Sequence, residues 1–143
     1  MSNDYPLVSI IIPTYNSSDY ITETLTKLEK QTYPNFEIVI VNDGSKDNTS
    51  NVLREYGLTR SRLIILNKEN GGVSSARNTG IRKAQGQFIC FMDDDDEIDS
   101  NYLLKMYSRQ HETGGDAIYC GLYGHHIKNG VTYSPINLSL IHI

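Results

Sequence analysis

The chain has 143 residues, enough for one domain with a real core, since a domain of this size hides roughly two thirds of its unfolded surface. Its 38% hydrophobic and 21% charged content is a globular balance that excludes a disordered or low-complexity chain. The net charge of −4 comes from 17 acids against 13 bases, but six of those acids are Asp93 to Asp96, Glu97 and Asp99; the remainder is slightly basic, and a nucleic-acid-binding surface is not indicated.

Leu7 to Ile12 is a short apolar run rich in β-branched residues and stopped by Pro13, as expected of a strand buried on both faces. Ser17, Ser18 and Asp19 offer N-caps for a helix whose Ile21, Leu25 and Leu28 recur at helical spacing. Glu37 to Asn42 reads as a second strand, Asp43-Gly44-Ser45 as a turn, and Asp47 to Tyr56 as a helix ended by Gly57. Leu63 to Leu66 is a third strand, Val73 to Ala84 a helix ended by Gly86, and Phe88 to Met92 a fourth strand. A helix from about Ser100 to His111 is broken at Thr113-Gly114-Gly115; Asp116 to Leu122 is a fifth strand candidate, and Asn129-Gly130 marks a hairpin turn.

Strands alternating with helices predict an α/β fold, a mainly parallel sheet covered by helices on both faces, with ligands bound beyond the carboxyl ends of the strands. Four polar segments fall there: Thr14-Tyr15-Asn16, Asp43-Gly44-Ser45, Asn67 to Gly72, and Asp93 to Asp96. Cys90 and Cys120 sit in apolar or aromatic stretches and read as buried thiols of a reducing compartment. No secretory leader and no apolar run of membrane-spanning length is present, so the expected location is cytoplasmic, with peripheral attachment at the inner face of the membrane left open for a longer protein. Residues 138–143, Leu-Ser-Leu-Ile-His-Ile, match the translation of a transposon end used in preparing sequencing libraries. Residues 1–137 are accordingly expected to be an incomplete domain, truncated at its C-terminal side, and 138–143 a non-native tail.

The carboxylate run is the strongest chemical signal. Asp93 and Asp95, two residues apart at a strand end, can turn toward a common point, and a hard cation such as Mg²⁺ or Mn²⁺ takes oxygen ligands from few side chains, completed by water and substrate phosphates. A solvated loop or a capping cluster is the bland alternative, although adjacent aspartates repel one another without a cation. An EF-hand fails, because counting from Asp93 puts Ile98 at its glycine position and Leu104 at its glutamate position. Pro13-Thr14-Tyr15-Asn16 stands where a dinucleotide fold needs G-x-G-x-x-G, and no P-loop occurs. His125-His126 point to opposite faces of a strand and cannot easily share an ion.

Taken in order, Val8 to Asn16, Val41 to Asp47, Asn70-Gly71-Gly72 with Ala76 to Gly80, and Phe91 to Asp96 resemble the family 2 glycosyltransferases of GT-A fold from about Val8 to about Leu104. The resemblance implies that Pro13, Thr14 and Tyr15 line a nucleotide base and that Asp43 accepts a hydrogen bond from uracil. A carboxylate suits that role because the uracil imide N–H is a donor. It further implies that Arg77 faces the diphosphate, that Asp93 approaches the ribose or reaches the metal through water, and that Asp95 ligates Mn²⁺ or Mg²⁺. The family often has a small residue in place of Asp94; the extra acid leaves the register open, so that Asp93 or Asp96 could share the metal and Asp94 belongs with the donor contacts. Asn78 and Gly80 are given structural roles.

The implied activity is inverting transfer of a sugar from a nucleotide-diphosphate donor, a UDP-sugar, to a saccharide or other hydroxyl acceptor, including a lipid-linked one, as in cell-surface polysaccharide synthesis. The catalytic base is expected in the C-terminal region the chain lacks. The rival reading is a catalytically incomplete fragment that binds nucleotide sugar and metal; a sugar nucleotidyltransferase is disfavoured by Pro13-Thr14-Tyr15-Asn16.

Overall fold

The computed structural model describes residues 4–118. In chain order these form β1 (Val8–Thr14), α1 (Ile21–Leu28), β2 (Phe36–Asp43), α2 (Thr49–Gly57), β3 (Leu63–Lys68), α3 (Val73–Lys83), β4 (Phe88–Phe91) and α4 (Tyr102–Thr113). The chain divides into two units after Ser100. Of the second, α4 ends where Gly114 takes a left-handed conformation (φ 63°) and its N–H closes on Gln110 O at 2.8 Å, the glycine stop expected there. Asp116 to Ile118 are not in a strand; the rest of the fifth strand candidate, the hairpin, Cys120, the histidine pair and the tail lie outside the described residues.

In the first unit all four strands are parallel, in the order β3-β2-β1-β4. Every residue of β1 and β2 is buried, which their unbroken apolar runs demand. Successive side chains alternate faces, so Ile11, Val39 and Val41 share one face and Ile10, Ile12, Ile38 and Ile40 the other. The first group packs with Ala76 of α3. Gly80 lets that helix close on the sheet, since a Cβ there would stand 2.5 Å from Ile11 Cγ2. The second group is also sealed from solvent, as are Ile21, Leu25 and Leu28 of α1 and Leu53 of α2. Right-handed crossovers account for this division: the β1-α1-β2 and β2-α2-β3 units step one way, β3-α3-β4 steps back across them, and α3 must lie on the opposite face.

The strand order also fixes where a ligand fits. From β1 the chain proceeds to β2 on one side, yet β4 arrives on the other, making the β1/β4 junction the topological switch point of the sheet. Thr14-Tyr15-Asn16 and Asp93 to Asp96 are the segments that leave the carboxyl ends of these two strands.

Two expectations change in detail. Ser17, Ser18 and Asp19 make no side-chain cap for α1, whose N-cap position is Tyr20; the Ser17 hydroxyl is engaged by the acidic segment instead. Cys90 is half-buried rather than buried, because β4 is the outer strand of the described sheet and alternates between partial and full exposure.

Candidate functional site

The loops after β1 and β2 are fastened to each other. Asn16, the single described non-glycine residue with positive φ (52°), accepts from Lys46 N–H through Oδ1 at 2.8 Å, while its own N–H donates to Ser45 Oγ at 2.9 Å. Asparagine tolerates this conformation better than most side chains. Ser17 N–H donates to Thr49 Oγ1, and Ser18 N–H and Thr49 N–H both donate to Asp47. The Thr49 hydroxyl, which donates to Asp47 Oδ1 at 2.6 Å, and to a lesser degree those N–H groups hold the Asp47 carboxyl well below the usual carboxylate range. Beside this frame Pro13 and Thr14 are buried, so Tyr15, 43% exposed, is the member of the Pro13-Thr14-Tyr15 segment that offers a side-chain surface.

Asp43 is the last residue of β2 rather than the first of a turn. The β2/β3 register sets it opposite Lys68, whose Nζ donates to Oδ1 at 2.7 Å. Oδ1 also accepts from Gly71 N–H at 3.0 Å and Oδ2 from Gly72 N–H at 2.8 Å, while Asn70 Nδ2 donates to the backbone carbonyl. Asp43 thus anchors the entry to α3, where a carboxylate also meets the positive end of the helix dipole. Burial pushes its carboxyl pKa up, but Lys68 and the two glycine N–H groups outweigh that and hold it below the ordinary value. A carboxylate has about four acceptor positions, and with three filled, one on Oδ2 is left for an incoming N–H. Gly44 follows with φ 74°, and a Cβ there would meet Asn70 N at 2.7 Å.

The acidic segment is a compact turn. Asp96 N–H donates to Asp93 O at 3.2 Å and Asp93 N–H to Asp96 Oδ2 at 2.9 Å. The four carboxylates then have different surroundings. Asp93 pairs with Arg77 Nη2 at 2.8 Å. Asp94 Oδ2 accepts from Thr14 Oγ1 at 2.7 Å and from Ser17 Oγ. Asp96 folds back on Asp93. Asp95 is exposed, and its carboxylate has no hydrogen bond or ion pair among the described residues. Arg77 has one unmet need: its Nε is buried without an acceptor.

Of the residues expected at a site, Thr14 and Asp94 therefore meet directly at the β1/β4 junction, with Pro13 and Tyr15 flanking Thr14 and Asp93, Asp95 and Asp96 sharing the turn with Asp94; Arg77 joins them through Asp93, and Asp43 occupies the adjoining end of β2. No group of three His, Cys, Asp or Glu side chains among the described residues is arranged to hold a metal. A cation that takes most of its oxygens from water and a diphosphate needs no such cage, and the unpartnered Asp95 carboxylate fits that demand. Two residues carried no signal of their own in the sequence. Lys68 is one more strand-end lysine until the register places Asp43 opposite it, and Ser17 looks like a helix cap until the acidic turn claims its hydroxyl. A cavity of about 410 Å³ lies between α2 and β3, lined by Ser50, Arg54, Ile65 and Asn67 among others.

Comparison with known proteins identifies the family. The description Glycosyl transferase family 2 fits residues 9–141. The chain is 39% identical over 118 residues to the uncharacterized glycosyltransferase EpsJ of Bacillus subtilis strain 168, covering 82% of this chain and 34% of that protein. Among solved structures it is similar to S. aureus TarS (residues 1–349) in complex with UDP-GlcNAc, at TM-score 0.70 and 37% identity over 76% of this chain and 32% of that one. It is also similar to the mannosyltransferase PcManGT of Pyrobaculum calidifontis in complex with GDP-Man and Mn²⁺, at TM-score 0.76 and 28% identity over 82% of this chain and 36% of that one. The chain thus spans about a third of the length of each of these relatives. With the family description covering nearly the whole chain and the parallel sheet matching these neighbours, the protein belongs to glycosyl transferase family 2 and has the GT-A fold.

Proposed function

We propose that the protein is an inverting, metal-dependent glycosyltransferase whose described residues hold the nucleotide and diphosphate of a UDP-sugar. The observation that carries this reading is the coexistence, at one switch point, of an exposed carboxylate without a partner (Asp95) and a buried guanidinium donor without an acceptor (Arg77 Nε). A diphosphate with its cation answers both needs, since phosphate oxygens accept from arginine and share a divalent ion with a carboxylate.

In this reading Tyr15 offers its exposed ring to the base, with Pro13 and Thr14 forming the wall behind it. The free acceptor position on Asp43 takes the uracil imide N–H, a donor that cytosine lacks at that ring position. TarS was solved with UDP-GlcNAc and PcManGT with GDP-Man; the higher identity to TarS favours uracil over guanine, and the carboxylate at Asp43 favours uracil over cytosine. Asp93, oriented by Arg77, approaches the ribose or the metal's water shell. Asp95 is the metal ligand, with Asp93 or Asp96 as neighbours able to share it, and bound Mg²⁺ or Mn²⁺ supplies charge neutralisation at the diphosphate leaving group.

Inversion follows if an acceptor hydroxyl attacks the anomeric carbon from the side opposite the diphosphate. The new C–O bond forms as the bond to the diphosphate breaks, and the hydroxyl proton passes to a base outside the described residues. The acceptor is a saccharide or a lipid-linked hydroxyl, as in assembly of a cell-surface polysaccharide. Because the chain spans about a third of its relatives, donor and metal binding without transfer is the second reading for these residues alone. Incubating the protein with UDP-, GDP- and CDP-sugars and Mn²⁺ tests both. Release of UDP with transfer or hydrolysis of the sugar supports the enzyme, UDP binding with no turnover supports the binding module, preference for the GDP-sugar overturns the uracil assignment, and preference for the CDP-sugar overturns the role of Asp43.

A further inference from the structure

Asp94 is held in a way that contact with a donor does not require. Thr14 and Ser17, whose hydroxyls reach its Oδ2, are 2% and 0% exposed. The Tyr20 hydroxyl donates to Ser17 Oγ at 3.2 Å, and Thr24 Oγ1 donates to the Asp94 backbone carbonyl at 2.9 Å. Thr14 Oγ1 also stands 2.8 Å from Ser17 Oγ, and the set of contacts accommodates Tyr20 giving its proton to Ser17 while Ser17 and Thr14 each give theirs to the carboxylate. Both bonds to Asp94 are charge-assisted and largely shielded from water, which places them among the stronger hydrogen bonds available to a side chain.

Asp94 and Asp95 are the two central residues of the turn that Asp93 and Asp96 close. Residues at successive corners of such a turn project differently. With Asp94 drawn onto Thr14 and Ser17, Asp95 is left at the exposed corner with its carboxylate unpartnered. The aspartate at position 94 thereby ties the loop after β4 to the end of β1 and to α1, the strand end and helix that frame the switch point.

We propose that Asp94 is a positioning residue: with Thr14, Ser17 and Thr24 it clamps the acidic turn so that the Asp95 carboxylate is presented to the divalent cation. The inference rests on the reading of Asp95 as metal ligand, and it moves Asp94 from touching the donor to acting through its neighbour.

The test is Mn²⁺ affinity of the full chain at saturating UDP, followed by electron paramagnetic resonance of the free ion, alongside metal-free UDP affinity. Asp94→Ala and Ser17→Ala are each expected to weaken Mn²⁺ binding about 10- to 100-fold, the usual cost of losing a group that orients a metal ligand. Combining them should add little to Asp94→Ala, because Ser17→Ala removes one of the contacts that Asp94→Ala already removes. Asp94→Asn should stay within roughly threefold of the unaltered protein, since its amide oxygen still accepts both hydroxyls. Metal-free UDP affinity should not move in any of them. Unchanged Mn²⁺ affinity in Asp94→Ala or Ser17→Ala overturns the proposal, as does an Asp94→Asn as weak as Asp94→Ala, which would mean that charge rather than position matters. Asp95→Ala separates the two levels: if it too leaves Mn²⁺ affinity unaltered, the metal assignment fails; if it alone abolishes binding, only the clamp fails. Should alanine at 94 prevent folding, Ser17→Ala and Asp94→Asn carry the comparison.

Discussion

Arg77, on α3, reaches across the sheet edge to Asp93, on the loop after β4, with Nη2 2.8 Å from Oδ1. The pair is partly exposed, so by itself it stabilises the fold by no more than about 1 kcal/mol. What distinguishes it is the buried Nε of the same guanidinium, which has no acceptor. Arg77→Lys keeps a cation near Asp93 but loses that second donor direction. It should bind UDP with Mn²⁺ about tenfold more weakly, a loss of one charged hydrogen bond, while the thermal midpoint changes little. Equal UDP affinity in a calorimetric titration would show that Nε meets nothing on the nucleotide.

The Asp43–Lys68 pair makes a separate prediction in acid. Because the folded carboxyl pKa lies below its ordinary value of 3.8, the stabilisation is complete above that value and is lost as pH falls through the folded one. Thermal unfolding should therefore show the protein losing stability below about pH 4 more steeply than Asp43→Asn. The variant should be less stable at neutral pH by roughly 2–3 kcal/mol, since Lys68 is left half-shielded and two N–H groups at the start of α3 keep a weaker acceptor. Parallel acid limbs for the two proteins would mean that Asp43 titrates as a solvated carboxylate.

Gly80 is expected to be intolerant of even a methyl group. An alanine would ordinarily stabilise a helix interior by about 1 kcal/mol relative to glycine. Here its Cβ would lie 2.5 Å from Ile11 Cγ2 and 3.4 Å from Val41 Cγ2, and Cγ2 is bonded to the Ile11 Cβ, so it cannot swing aside without a rotamer change. Overpacking of this kind costs about 1–3 kcal/mol. Gly80→Ala should be net destabilising in urea unfolding; a rise in the unfolding midpoint would show that α3 can lift from the sheet.

Much of this was legible in the sequence because the relevant signals are local or strictly periodic. The runs Leu7 to Ile12 and Glu37 to Asn42 became strands buried on both faces, and Ile21, Leu25 and Leu28 the sealed side of α1, since apolar spacing alone dictates those outcomes. The motif order located Asp43, Arg77 and the acidic run on one edge of a parallel sheet. What sequence could not supply was partnership between distant residues. That Asp43 faces Lys68 is a consequence of register, that Ser17 serves Asp94 instead of α1 depends on a loop 77 residues away, and that Asp95 is the aspartate without a partner emerges only when its three neighbours have found theirs.

The most direct measurement is calorimetry of UDP binding with and without Mn²⁺, on the unaltered protein and on Asp95→Ala. If the exposed carboxylate at the β1/β4 junction is the metal ligand, Mn²⁺ strengthens UDP binding by the unaltered protein, and Asp95→Ala lowers the affinity about tenfold or more, to a value that Mn²⁺ no longer changes. UDP affinity that is independent of metal and the same in both proteins would contradict the assignment of this site.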